Sequence, residues 1–271
     1  NDKIKISENF IKDISASVLE QSDVMVPSDS TEIFVKENRE LRNKNVESLQ
    51  TITSELMSKD LITDFEIKPF KRLRGSRTVA QFAEKRHYYF NDEKIDEAWH
   101  LGADWASVKN APIRVYNDGK VIFNDYLGIY GNTLIVDHGL GLSTLYAHTS
   151  ISKVNAGDEV KYKQVIANTG ATGAVFGDHL HFGVLVQGVE VNPLEWMDKN
   201  WIKTRITNIL KESKEIINKE DPPVANELEP KPKIIEPKPE IIIESDKPSD
   251  DNKDTFETDS TATVNASSLL S

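Results

Sequence analysis

Apolar residues recur at helical spacing near the start of the chain. In "FIKDISASVLE", the side chains of Phe10, Ile11, Ile14 and Val18 share one helical face. A second stretch, "ENRELRNKNVESLQTITSELMSKD", is rich in helix formers, and the intervening "MVPSDSTE" has the composition of a turn followed by a helix cap. The pattern predicts a helical hairpin within residues 1–68. We expect it to be a packing appendage; the alternative is an arm that covers a cleft.

The pattern changes near residue 69, where short apolar runs begin to alternate with glycine and Asn/Asp turns. These runs continue to about residue 202 and include "APIRVYNDGKVIFNDYLG", "GNTLIVDHGLGLSTLYAH" and "HLHFGVLVQGVEV". Short strands at this spacing predict a mainly β fold, a small antiparallel sheet or β-sandwich. Within it, "YNDGKV" predicts a hairpin whose tight turn contains Asp118 and Gly119, because Asp-Gly suits positive φ.

The C-terminal part of the chain contains two different sequence patterns. Residues 203–218 return to helical spacing, whereas residues 219–271 are of low complexity and contain seven of the 11 prolines. Over residues 211–271, 15 Asp and Glu outnumber 8 Lys and Arg. Such a segment cannot bury enough apolar surface to offset the entropy of ordering it. We expect a disordered, solvated tail; a spacer or a partner-docking motif is the alternative.

Composition excludes several classes of function. The formal net charge is −11 and no basic patch is interleaved with aromatic residues, so nucleic-acid binding is not expected. The chain has no cysteine, which excludes disulfides, thiolate metal ligands and a cysteine nucleophile. No stretch approaches the roughly 18 apolar residues of a membrane span. No export signal is visible, and because the chain opens with Asn1 rather than Met we interpret it as processed or trimmed.

Two histidines separated by one residue stand in "FGDHLHFGV". Residues two apart on a strand face the same side, so His179 and His181 should project together while Leu180 and Phe182 face the core. One imidazole could then bind a metal ion while the other contacts a metal-bound water. The motif alone is weak evidence, because core packing also produces it.

A carboxylate that could share such a metal ion stands in "HLGADWA". His100 and Asp104 are four residues apart, and Gly102 permits a bend that brings both side chains to one ion. Two imidazoles and one carboxylate with an open fourth position form a catalytic zinc site, and one histidine of the H-x-H pair would complete this set. His148 in "TLYAHTS" and the remaining member of the pair could take a proton from water and steady an oxyanion.

Together these segments resemble the M23 family of zinc metallopeptidases, the lysostaphin/LytM group. "HLGAD", "YAH" and "HLHF" occur in this order, with glycine turns between them, over roughly residues 85–202. The resemblance implies a LytM-type (duplicated hybrid motif) antiparallel β catalytic domain at residues 69–202. It also implies a zinc-dependent endopeptidase that hydrolyses peptide cross-links of bacterial peptidoglycan, with metal-bound water as the nucleophile.

The family's functional positions carry over one by one. By this resemblance, His100, Asp104 and His181 would bind one Zn²⁺ per chain, and His148 and His179 would be catalytic histidines that do not bind it. The expected partners are peptidoglycan stem peptides, and we favour a D,D-type cross-link as the bond cleaved. The expected location is the periplasm, the cell envelope or the exterior, because peptidoglycan lies outside the inner membrane.

Two positions depart from the family pattern. The family often has "GPHLHFE" where this chain has "GDHLHFG", so Asp178 and Gly183 are less usual. We expect Asp178 to serve a surface turn, the alternative being that it tunes a neighbouring imidazole. We expect His138 in "VDHG" to be structural or to support a ligand, and His87 in "KRHYYF" to be an ordinary surface or packing residue.

Two other functions compete with the peptidase. Some members of the family have lost a ligand or a catalytic histidine and act as regulators of cell-wall amidases, whereas here all five positions are filled. A phosphocarrier of related β architecture would use an active histidine without a metal, and it has no need of the H-x-x-x-D motif. The sequence therefore favours the enzyme, and a non-catalytic activator of cell-wall amidases is the alternative.

Overall fold

The structure, a computed structural model, describes residues 2–58 and 65–217. The tail predicted at 219–271 lies outside these residues. Strands dominate from residue 77 to residue 191, and helices precede and follow them, so the predicted mainly β fold class with N-terminal helices is confirmed. Within the described ranges, no helix is both long enough and apolar enough to cross a membrane.

The N-terminal region is helical, as predicted, but it begins with a strand. β1 (Asp2–Lys5) pairs in parallel with β3 (Glu84–Phe90), a long-range pairing that no local pattern reveals. The predicted cap is present, because Asp29 accepts a hydrogen bond from the Glu32 amide at 3.0 Å. The helical segments are Phe10–Ser15 (π-helical), α1 (Ala16–Gln21), α2 (Ser30–Val35), Lys36–Leu41 (π-helical) and α3 (Arg42–Leu56).

The main sheet has eight strands and runs through the middle of the β region. The strands are β2 (Arg77–Ala80), β5 (Ala103–Ala106), β7 (Gly119–Tyr126), β8 (Asn132–Asp137), β9 (Leu142–Ala147), β11 (Glu159–Val160), β13 (Leu180–Val186) and β14 (Val189–Val191). They lie in the order β11-β7-β8-β9-β13-β5-β2, with β14 also paired to β13, and all of these pairs are antiparallel.

Two smaller sheets complete the β region. Besides β1 and β3, they contain β4 (Glu93–His100), β6 (Pro112–Arg114), β10 (Thr149–Ser152) and β12 (Val165–Thr169). One sheet has the order β1-β3-β4, and the other has the order β10-β12-β6.

Both faces of the main sheet are buried. On β8, Leu134 and Val136 belong to one apolar core, and Ile135 between them belongs to another, as the two-residue period of a strand requires. The second core also contains Phe10 and Leu49 from the helical region. The helices therefore pack on one face of the sheet, and the apolar face predicted for "FIKDISASVLE" is the buried one.

The hairpin predicted at "YNDGKV" is wrong. The strand before the turn, β6, pairs with β12, whereas the strand after it, β7, pairs with β8 and β11. The turn therefore joins two different sheets. Gly119 does not adopt positive φ; instead, a Cβ at this position would lie 2.4 Å from the carbonyl oxygen of Asp137 on β8. The glycine is needed because two backbones approach closely.

Helix returns after the sheets. Asp198 accepts hydrogen bonds from the amides of Asn200 and Trp201 at 2.6 and 3.1 Å, and so caps the first of the C-terminal helices. The helix predicted at 203–218 is present as far as it is described, up to Ile217. The segments are α4 (Lys199–Ile202), Lys203–Thr207 (π-helical) and α5 (Asn208–Ile217).

Candidate metal centre

Adjacent strands of the main sheet bring the predicted site residues together. β13 lies between β9 and β5, and within it His181 stands directly opposite Asp104 on β5 and Ala147 on β9. Residues directly opposite each other in antiparallel strands project to the same face. His181 and Asp104 are therefore neighbours, and His148, which follows Ala147, reaches the same end of the sheet.

Gly102 allows the chain to pass from His100 to Asp104 beside a histidine ring. The chain bends at Gly102, between the end of β4 and the start of β5, as predicted. A Cβ on Gly102 would lie 2.5 Å from Nε2 of His181 and 2.8 Å from the carbonyl oxygen of Phe182. Glycine is required here because its backbone lies against the imidazole.

Three buried side chains point one ligand atom each at a common point. Nε2 of His100 lies 3.0 Å from Oδ1 of Asp104, and Nδ1 of His181 lies 2.8 Å from the same oxygen. The two ring nitrogens are 3.0 Å apart. In the part of the chain that the structure describes, these residues form the group able to hold a metal ion. Two imidazoles and a carboxylate are a donor set that zinc accepts, so the residues fit the predicted ion.

A backbone hydrogen bond fixes the orientation of His100. Nδ1 of His100 lies 2.8 Å from the carbonyl oxygen of Gln81, so Nδ1 carries the proton and donates it. Nε2 then keeps its lone pair and faces Asp104. Backbone carbonyls commonly orient metal-binding histidines in this way.

His148 and His179 lie beside the cluster without being part of it. Their ring centroids are 4.9 Å apart, and Nε2 of His179 is 3.8 Å from Oδ1 of Asp104. Nδ1 of His148 donates to the carbonyl of Thr172 at 2.9 Å, and Nδ1 of His179 donates to that of Gly177 at 2.8 Å. Nε2 is therefore the basic nitrogen of each ring.

His148 has an unusual backbone conformation. Its φ is 59°, in the left-handed region that few residues other than glycine adopt, although histidine is among those that tolerate it. Its amide donates to the carbonyl of Tyr130 at 2.9 Å, which holds this conformation between β9 and β10. Backbone strain of this kind costs about 1–3 kcal/mol and clusters at functional sites.

Burial and neighbouring charges set the protonation of the site. Burial acts to raise the pKa of the Asp104 carboxyl, but the neighbouring imidazoles of His100 and His181 outweigh it and hold that pKa well below its usual range. Burial lowers the pKa of His181 to about 4. Burial, and then repulsion from His179 and His181, lowers the pKa of His148 well below its usual value. At neutral pH, Asp104 is therefore anionic and His181 and His148 are neutral.

Arg86, which no sequence motif singles out, also contacts Asp104. Its Nη2 atom lies 3.1 Å from Oδ2 of Asp104, the carboxylate oxygen that does not face the histidines. Arg86 lies on β3, which precedes the "HLGAD" segment in the sequence. The segment "EKRHYYF" has no ligand spacing, so only the three-dimensional structure reveals this contact.

Two further histidines lie outside the cluster, as expected. His87 is 3.4 Å from the carboxylate of Glu97, with which it is paired across β3 and β4. Nδ1 of His138 lies 2.8 Å from the carbonyl oxygen of Asp118, and Nε2 lies 2.8 Å from the hydroxyl of Thr144. Both rings therefore have partners outside the cluster of His100, Asp104 and His181.

The two departures from the family pattern have local roles. Asp178 accepts hydrogen bonds from the amide of Asn110 at 3.1 Å and the hydroxyl of Thr169 at 2.6 Å, so it holds a turn, as expected. Gly183 lies in the middle of β13, where a Cβ would stand 3.3 Å from that of Leu145 on the neighbouring strand. Neither residue belongs to the cluster of His100, Asp104 and His181.

A cavity of about 340 Å³ opens over the cluster. The ring of Phe10, in the helical region, stacks on Phe176 at its edge, with centroids 4.3 Å apart. The N-terminal region therefore borders the cavity as well as packing on the sheet. Residues of this region in the lining are Ile4, Ile6, Phe10, Phe34, Glu37, Asn38 and Arg42.

Comparison with known proteins gives a match over the same residues. Residues 98–193 match the model of Peptidase family M23. DD-carboxypeptidase/endopeptidase Mpg of Neisseria meningitidis serogroup B is 38% identical over 130 residues, which are 48% of this chain and 28% of Mpg. Murein hydrolase activator EnvC of Escherichia coli is 34% identical over 87 residues, 32% of this chain and 21% of EnvC. The chain thus spans less than a third of the length of either relative.

A solved structure adds a further similarity. A zinc-containing peptidase from Vibrio cholerae is 32% identical, with a TM-score of 0.41, and the alignment covers 49% of this chain and 39% of that one. The segment matched by the family model contains the three clustered residues and both neighbouring histidines. Over residues 98–193, the chain is therefore similar to peptidase family M23.

Proposed function

We propose that the chain is a zinc-dependent endopeptidase that hydrolyses peptide cross-links of bacterial peptidoglycan. The observation that carries the proposal is the convergence, within 3.0 Å of one another, of the ligand atoms of His100, Asp104 and His181. The name of Mpg, a DD-carboxypeptidase/endopeptidase, supports a D,D-type cross-link as the substrate bond. Such a substrate implies the periplasm, the cell envelope or the exterior as the place of action.

In this proposal, His100, Asp104 and His181 hold one Zn²⁺ through one atom each. When bound, zinc supplies a Lewis acid that lowers the pKa of a coordinated water to about 7 and polarises a carbonyl. The lowered pKa of Asp104 keeps the carboxylate charged, and the lowered pKa of His181 keeps its ring neutral. The two groups together therefore carry a net negative charge at neutral pH, which favours the binding of a cation.

His148 and His179 transfer protons in the proposed reaction. The lowered pKa of His148 keeps it neutral, so its Nε2 can accept a proton from the attacking water. A ring protonated at Nε2 can then donate to the developing oxyanion or to the leaving amine. Because Nδ1 of each ring is held by a backbone carbonyl, both rings stay in place while the proton moves.

Activation of a separate cell-wall amidase is the competing function. It is supported by the similarity to EnvC, which is named a murein hydrolase activator. A non-catalytic activator has no need of a complete ligand set or of oriented proton carriers. Here the three ligand atoms converge and both neighbouring rings are held by backbone carbonyls. This geometry favours the enzyme.

Digestion of purified peptidoglycan distinguishes the two functions. The full chain is incubated with zinc, with a chelator, and with a cell-wall amidase whose own activity is low. A peptidase converts cross-linked muropeptide dimers to monomers without the amidase, and the chelator stops this conversion. An activator leaves the dimers intact and only increases release by the amidase, which would contradict the proposal.

A further inference from the structure

We infer that Arg86 is a positioning residue of the metal centre, which holds Oδ2 of Asp104 so that only Oδ1 is offered to the ion. The inference rests on the proposed zinc site and adds to it a residue outside the matched segment 98–193. The contact that carries it joins Nη2 of Arg86 to Oδ2 of Asp104 at 3.1 Å.

The two oxygens of Asp104 have separate partners. Oδ1 faces Nε2 of His100 and Nδ1 of His181, whereas Oδ2 accepts the hydrogen bond from Arg86. The side chains of Arg86 and Asp104 are only 21% and 8% exposed, so solvent screens this ion pair less than it would a surface pair. A charge-assisted hydrogen bond in such a place holds the carboxylate firmly.

Strand pairing explains why Arg86 lies close to Asp104. β3 is the middle strand of its sheet, and Arg86 is paired with Asp2 on β1 and with Ala98 on β4. Two residues away, Glu84 pairs with His100. Residues at alternate positions share a face with their direct partners, so Arg86 and His100 project to the same side of this sheet. One small sheet therefore supplies both a proposed ligand and the residue that orients another.

The expected consequence is control of coordination number. A carboxylate with both oxygens free can bind an ion through both, which would fill the position that a catalytic zinc site keeps open. Arg86 occupies Oδ2 and so favours binding through Oδ1 alone. The guanidinium also repels a cation, but the charge of the intervening carboxylate opposes this effect. Loss of an orienting partner typically weakens metal binding by about 10–100-fold.

Metal binding by full-length variants tests the inference. Arg86→Met removes the donor and the charge, and Arg86→Lys keeps a charge and a donor. The matched control is Arg39→Met, which breaks an Arg–Asp pair of 2.7 Å, that between Arg39 and Asp96, at a carboxylate outside the metal cluster. The measurements are the dissociation constant for Zn²⁺, from competition with a chelator, and the visible absorption of the Co²⁺-substituted protein. Thermal unfolding of the metal-free proteins checks that each variant is folded.

We expect Arg86→Met to bind Zn²⁺ about 10–100-fold more weakly. The cobalt bands should lose intensity, because a second carboxylate oxygen raises the coordination number. Arg86→Lys should recover part of both signals, and Arg39→Met should match the wild type. Unchanged affinity and an unchanged cobalt spectrum in folded Arg86→Met would overturn the inference. A wild-type chain that binds no metal would instead contradict the proposed function.

Discussion

The backbone of Gly102 lies against the imidazole of His181, so closely that a Cβ on Gly102 would stand 2.5 Å from both Cε1 and Nε2 of the ring. The ring has little room to retreat, because His181 lies on a strand paired on both sides. Its Nδ1 atom is also 2.8 Å from Asp104. Gly102 therefore fixes the position of a proposed zinc ligand as well as the bend between the other two.

Replacement of Gly102 by alanine should displace the ring of His181. We expect Gly102→Ala to weaken Zn²⁺ binding by about 10-fold or more, because the three ligand atoms no longer converge. Competition with a chelator measures the change. Gly177→Ala is the matched control, since a Cβ on Gly177 meets nothing within 4 Å although the residue lies in the segment leading to His179. Equal affinities of the two variants for zinc would contradict this role of Gly102.

Replacement of His148 separates proton transfer from metal binding. We expect His148→Ala to retain zinc and to lose about 10²–10⁴-fold in the rate of peptide cleavage, the usual contribution of a general base. His148→Asn is the informative partner, because asparagine tolerates the left-handed backbone that this position requires. Both variants should show this loss of rate, and the asparagine variant should unfold at the higher temperature. Full turnover in either variant would show that His148 is not the proton carrier.

Glu37 should make the stability of the chain depend on pH. Its side chain is 2% exposed, and its Oε1 atom has no hydrogen-bond partner among the described residues. Burial raises the pKa of Glu37 to about 7, against the smaller lowering effects of Arg42 and Ser15. The folded state thus binds the proton more tightly than the unfolded state, whose pKa is near 4.5. This contribution to stability is fully present below pH 4.5 and is lost as the pH rises through about 7.

Glu37→Gln should remove this dependence. The shift corresponds to about 3 kcal/mol at most, so at pH 8 the variant should be more stable than the wild type by up to that amount. At pH 4.5 the two should be similar, because the wild-type carboxyl is then protonated in the folded state. Urea unfolding at both pH values measures the difference. Glu47→Gln, at an exposed position of α3, is the control. A difference in stability between wild type and Glu37→Gln that is the same at both pH values would contradict the assignment.

The strand pattern predicted the main parts of the candidate site because they depend on local geometry. The two-residue period of a strand correctly predicted that His181 faces away from Leu180 and Phe182, both of which lie in the core. The four-residue spacing of His100 and Asp104 likewise predicted that the two side chains could share one ion, and in the structure their ligand atoms lie in one cluster. The resemblance chose His181 over His179 within the pair, and the structure brings the Nδ1 atom of His181, rather than His179, into the cluster.

Long-range relationships could not be predicted in this way. Arg86 meets Asp104 only because β3 pairs with β4 in a particular register. The turn at Gly119 was predicted as a hairpin because the Asp-Gly signal is local, whereas the partners of β6 and β7 are set by distant strands. The helical periodicity likewise showed that Phe10 is buried but not that it would stack on Phe176 at the edge of the cavity.

Metal content directly tests whether His100, Asp104 and His181 hold one zinc ion. The full-length wild type, Asp104→Ala, His181→Ala and the control His87→Ala are each loaded with zinc, dialysed and analysed for bound metal. We expect one zinc per chain in the wild type and in His87→Ala, whose ring contacts Glu97 instead of the cluster. We expect little or none in the other two variants, because each lacks one of three ligands. A wild type without zinc, or a His181→Ala variant that keeps a full equivalent, would contradict the proposed site.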